Sequence, residues 1–257
     1  MAQLRSSNPA FRQKFAAADP VVAPPDATPE QLAQMYRAPS RLTIDDVVIH
    51  TLGLFAVLGA AAAVGWGIAP SSPGVGIAAG LAALALSFVI GFSRVIRPPL
   101  VVVFALLEGV AIGLISRFYE AAFHGIVLQA LLGTGVIFVV MLGLYRSGRL
   151  RATPRMRKIV YSTLMGVVAV GLIDLVVRLT TGSHLPIINS ASPIGIIFSL
   201  AVLVVASLQF ILDFDYIERA IAAGAPRSEA WRASYGLLVG FVWVYLELLR
   251  LLSKLRN

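Results

Sequence analysis

The sequence contains no cysteine, which removes disulfides, thiolate metal sites and a cysteine nucleophile and leaves the redox compartment unmarked. Charge is nearly as scarce. Asp, Glu, Lys and Arg make up 13% of the 257 residues, about half of the roughly 25% carried by an ordinary soluble domain. Histidine occurs at positions 50, 124 and 184 only, too scattered to form a metal-ligand set. No HExxH, Ser–His pairing or Gly-rich phosphate loop is present, and no pair of aspartates stands in an intramembrane-protease context. The expectation is a protein that is not an enzyme and holds no cofactor or resident metal.

Apolar residues fill the space these absences leave: 58% of the chain, with a mean hydropathy of +0.84. The net charge is +8 and the pI about 10.3. The basic residues fall between apolar runs rather than along one face, which argues for membrane topology and against nucleic acid as a partner.

A bilayer core of about 30 Å takes about 20 apolar residues in a helix. Seven runs approach that length, from Val47 to Ala69, Gly74 to Phe92, Leu100 to Ser116, Ile126 to Tyr145, Ile159 to Leu179, Pro193 to Leu212 and Tyr235 to Leu252. The third is short, and the last contains Glu247 and Arg250. Pro, Gly and charge punctuate the connections, as in APSSPG, RVIRPP and RSGRLRATPRMRK. Connections this short predict that sequential helices are antiparallel neighbours. The longest break, Asp213 to Ser234, predicts a helical continuation to Gly224, a Gly-Ala-Pro stop and an N-cap at Ser228. Residues 43–257 thus read as an all-α, seven-helix transmembrane domain. Residues 1–42, rich in Pro, Ala and charge, read as a disordered tail, solvated or offering Arg5, Arg12 and Lys14 to a partner or lipid surface.

Counting Lys and Arg places 16 on the side of the N-terminus and 5 on the other, so the N-terminus is expected in the cytoplasm of a multi-pass cell-membrane protein. The basic end RLLSKLRN runs against this, because seven crossings put it outside; a re-entrant last segment is the other way to place it. Glycines four apart, Gly76/Gly80, Gly109/Gly113 and Gly236/Gly240, predict close helix contacts and put helices two, three and seven inside the bundle.

An acid in mid-membrane costs at least ~2.5 to 3.5 kcal/mol to insert, so each one is a functional candidate. Glu108, in FALLEGVAIGL, reads either as a carboxylate facing an interior cavity or as a neutral acid holding helices together. Asp174 has Arg178 four residues on, and Asp215 has Arg219; both read as local ion pairs. Asp213, directly after the sixth apolar run, is the better candidate there. Glu247 lies about 18 Å into the last helix, with Arg250 as its structural partner. Two carboxyls that face each other share a proton and make a pH switch.

The segments LDFDYI, VYLELLRLL and ALLEGVAIG, together with the helix count, resemble the Bax inhibitor-1 family (transmembrane BAX inhibitor motif) from about Thr43 to Leu252. The NPAF-containing leader resembles that of its bacterial branch. The resemblance implies six helices around a central seventh, a bacterial inner-membrane location, and a pH-sensitive calcium leak gated by a buried carboxylate pair. It carries the pair onto Asp213 and Glu247, with Arg94 as gating partner and Arg97 as its neighbouring alternative. Three departures stand out: Glu replaces the second Asp, Glu108 has no place in a two-acid scheme, and the helix six–seven connection is long. A plain hairpin turning near Ala225 sets Asp213 opposite Leu237 and leaves Glu247 about 15 Å away. Calcium, a hard cation suited to carboxylate oxygens, is the expected ion. A non-conducting regulator of a membrane protease or other membrane partner, and a proton-coupled transporter, are the other readings.

Overall fold

In the computed structural model, residue 28 and residues 41–93, 95–182 and 192–256 are described. The tail expected over 1–42 falls almost wholly outside them, as do Arg94 and His184. Among the described residues the regular structure is helical: α1 (Ile44–Ile68), α2 (Pro73–Phe92), α3 (Pro98–Ala122), α4 (Ile126–Arg146), α5 (Pro154–Thr181), α6 (Pro193–Ala222) and α7 (Glu229–Arg256). All seven are long and apolar enough to cross a membrane. Each contains the corresponding apolar run of the sequence almost whole and extends past it in most cases. The third is a full 25-residue helix, because Arg117 and Glu120, which end the apolar run, continue the same helix.

The helix starts follow local chemistry. Helices α2, α3, α5 and α6 each begin at a proline, where the missing N–H has no intrahelical partner to lose. Thr43 caps α1 in a capping box with Asp46: Asp46 N–H donates to Thr43 Oγ1 and Thr43 N–H to Asp46 Oδ2, both at 3.2 Å. Helix α6 stops as its Gly-Ala-Pro sequence predicts. Gly224 takes a left-handed φ of 65°, Gly224 N–H donates to Ile221 O at 2.9 Å, and Ala225 N–H donates to Ala220 O at 3.0 Å. These are the two bonds of a Schellman ending. Ser228 stands immediately before α7.

Helix α7 is the central element. It packs on α6, α1, α4 and α3, and hydroxyl bonds tie it to three neighbours. Ser234 Oγ donates to Val47 O at 3.1 Å and accepts from Thr51 at 3.0 Å; the Tyr235 hydroxyl meets Ser87 Oγ of α2 at 2.7 Å; the Tyr245 hydroxyl meets Ser116 Oγ of α3 at 2.6 Å. Helix α5 packs chiefly on α6, from the outside.

Two expectations change. Sequential helices are not always packed neighbours: α1 and α2 both pack on α3, and α4 packs on α6 and α7 rather than on α5. The reason lies in the small residues of α3. A Cβ at Gly109 would stand 2.5 Å from Leu58 O, and one at Gly113 would strike Ala62 O, while on α1 one at Gly65 would strike Val110. Helix α1 therefore lies backbone to backbone on α3. Secondly, the Gly76/Gly80 face of α2 does pack, against Leu114 and Ala111, yet α2 stays at the rim. Small-residue spacing marks which face packs, not how central the helix is.

Candidate functional site

The Schellman turn fixes how α6 and α7 lie against each other, and so where the acids sit. Asp213 faces the two glycines that straddle Leu237: a Cβ at Gly236 would be 3.1 Å from Asp213 Oδ1, and one at Gly240 would be 3.3 Å from Oδ2. The two glycines let this carboxyl lie close against α7, where a Cβ would press on it. Gln209, one turn earlier on α6, donates its amide N–H to Oδ1 at 3.0 Å. Asp213 Oδ2 and Gln209 Oε1 are both buried and have no hydrogen-bond partner among the described residues.

Glu247 occupies another level. It lies nine residues beyond the midpoint of Gly236 and Gly240, about 14 Å along α7, close to the separation that the sequence implied. Its side chain is 1% exposed, and Arg250 donates to Oε2 at 2.6 Å. Ser199 of α6 and Lys254 stand beside it. Lys254 is buried as well, donating to Gly195 O at 3.0 Å and Ser199 Oγ at 2.8 Å. The structure therefore brings Asp213 to the glycines of α7 and Glu247 to a basic cluster, and does not bring the two acids together.

That cluster bears on the basic C-terminal end. Helix α7 is a continuous 28-residue span, and its last cations are bonded within the protein: Arg250 to Glu247, Lys254 to α6, and Arg256 to His124 O at 3.0 Å and Gln129 Oε1 at 2.7 Å. Cations held this way weigh less in a count of loop charge.

Glu108 is half-buried on α3, one turn beyond Phe104, whose ring meets Tyr235 of α7 edge-on at 5.1 Å. Asp215 is neutralised as the sequence predicts, by Arg219 and also by Arg157 of α5 at 2.9 Å. The side chain of Arg178, expected beside Asp174, lies outside the described residues.

Beside Asp213 lies a half-open cavity of about 580 Å³ between α5 and α7, bounded also by the end of α2 and by α6. Gln209, Asp213 and Trp243 line it. So does Arg232, which pairs with Glu229 at 2.9 Å and donates to Ser93 O at 3.4 Å. Sequence reasoning missed Arg232. It lies one turn before Gly236 on the same face of α7, and that i, i+4 relation was the available signal. Arg232 lies against the end of α2, and Arg94, expected there as a gating partner, lies outside the described residues. Among the described residues no cluster of acidic and His side chains could hold a metal.

The family model described as Bax inhibitor 1 like matches residues 8–257. Among curated proteins no match is found.

Proposed function

The chain belongs to the Bax inhibitor 1 like family, and from that premise we propose that it is a pH-sensitive cation leak, with calcium as the permeating ion and Asp213 as its controlling group. The observation that supports this reading is a carboxyl buried in a membrane-spanning helix pair, with Oδ2 unpartnered beside a cavity. An unpaired acid there costs insertion energy that a purely structural role does not return. Ionised, Asp213 offers a hard oxygen to a divalent cation; protonated, it offers none. The gate so described is one acid with its surroundings rather than a carboxylate pair. Glu247, bonded to Arg250, is a separate acid further along the same seam.

Calcium entry into liposomes carrying the purified full chain and an entrapped indicator tests this. Flux through the wild type depends on pH, and Asp213→Asn, uncharged at every pH, makes it independent of pH. No flux above protein-free vesicles, or an unchanged pH response in Asp213→Asn, contradicts the proposal.

The reading as a non-conducting regulator draws support from one contact: Leu42 N–H donates to Ala225 O at 2.8 Å, joining the base of the leader to the α6–α7 turn. Deleting residues 1–40 separates the two. A leak persists in vesicles without the leader, whereas a regulator of a protease or other membrane protein loses its partner.

A further inference from the structure

Of the four buried side-chain polar atoms without a partner among the described residues, three belong to residues lining one cavity: Gln209 Oε1, Asp213 Oδ2 and Trp243 Nε1. Native proteins rarely leave such groups unmet, so three around one space indicate that something outside the described protein satisfies them. Two are acceptors on successive turns of α6 and one is a donor on α7. The matching ligand carries a donor head of positive charge with an acceptor oxygen near it.

The position of the cavity says how such a ligand arrives. Its walls come from the end of α2, the start of α5, the end of the apolar run of α6 and the first half of α7. All four lie toward the same margin of their spans, the side where Arg155, Arg157 and Lys158 stand in the first turns of α5. No substantial packing joins α2 to α5. The side chains at that seam are exposed, Phe92 at 82%, Met165 at 53% and Tyr161 at 52%, so the cavity is open sideways to the bilayer at headgroup depth.

We propose that this lateral cavity binds a phospholipid whose head carries a primary ammonium, its N–H groups directed to Asp213 and Gln209 and one of its phosphate or ester oxygens to Trp243. The apolar body lies in the seam between α2 and α5. The terminal torsions of Asp and Gln are soft, so both groups turn toward the ligand at little cost. The titratable and charged groups that line the cavity with Asp213 are Tyr161 of α5, Tyr216 of α6, and Arg232 and Tyr235 of α7.

This inference does not depend on conduction and is tested without it. The full chain, purified in detergent, is offered an equimolar mixture of phosphatidylethanolamine, phosphatidylcholine and phosphatidylglycerol of identical acyl chains, and the lipids retained are counted by native mass spectrometry. Phosphatidylcholine keeps the positive charge but has no N–H donor; phosphatidylglycerol keeps the phosphate and has hydroxyl donors but no positive charge. The wild type retains phosphatidylethanolamine over either by about tenfold, the effect of losing charged hydrogen bonds. Asp213→Asn removes most of that preference. Leu164→Trp, which fills the cavity from the loosely packed α5 and leaves Asp213 in place, lowers retention of all three. Equal retention of the three lipids by the wild type overturns the inference. So does an ethanolamine preference that survives Asp213→Asn, or, should that variant not fold, phosphatidylethanolamine retention by Leu164→Trp that equals the wild type's.

Discussion

The two ends of the α6–α7 seam each hold a buried acid, and they treat it in opposite ways. At one end Glu247 has a cation at 2.6 Å, a second buried cation beside it and tight packing around it. At the other, Asp213 has an amide donor, two glycines and a cavity, and no cation bonded to it among the described residues; each of the two acids keeps one buried oxygen without a partner. A buried charge whose counter-charge is built in is held in one state, whereas an acid without one is free to change state with its surroundings. The contrast assigns sensitivity to Asp213 and structure to Glu247.

The largest effect that breaks or upholds this contrast is on the pH response. Asp213→Asn abolishes the pH dependence of calcium flux, while Glu247→Gln keeps it, both read in the same liposomes. A smaller effect goes the other way. Glu247→Gln removes the ionic part of the Arg250 bond and lowers stability by about 1 to 3 kcal/mol, read as a lower unfolding midpoint in detergent, whereas Asp213→Asn costs less because no counter-charge is lost.

Gly240→Ala puts a methyl 3.3 Å from Asp213 Oδ2. It shifts the pH at which flux is half-maximal at a stability cost of about 1 kcal/mol; an unshifted midpoint means the carboxyl does not rest on α7. The smallest change is Arg219→Ala. Asp215 keeps Arg157, so stability falls by less than about 1 kcal/mol and the pH response stays as it was. A lost response would move the sensor from Asp213 to its neighbour two residues on.

Much of this architecture was legible in the sequence, for reasons that differ by element. Seven crossings follow from apolar runs because the bilayer imposes its thickness on every one. The α6 stop at Gly224 was legible because a left-handed residue before a proline has few other uses. Register followed in turn: a hairpin centred near Ala225 puts Asp213 opposite Leu237, and the glycines on either side of Leu237 are what it meets.

What stayed hidden depends on which helix meets which. Lipid-facing and protein-facing leucines look alike in a hydropathy scan, so nothing in the runs told that α1 and α2 share α3 as a neighbour, or that α5 packs from outside and leaves a cavity. The extent of α3 was underread because a polar helix end looks like a loop to the same scan. Arg232 was missed because it sits before the last apolar run, in a stretch read as connection. The pairing of Asp213 with Glu247 came from resemblance, and the Schellman turn places the two at different levels.

A double-mutant cycle on the pH midpoint of calcium flux, using Asp213→Glu, Glu247→Asp and the two together, tests the central claim most directly, since both acids remain titratable in every variant. Two acids about 14 Å apart along α7, each with its own partners, give shifts that add within about 0.5 kcal/mol. A coupling well above that, with the double variant restoring the wild-type midpoint, would mean that the two carboxyls share a proton and would contradict the account.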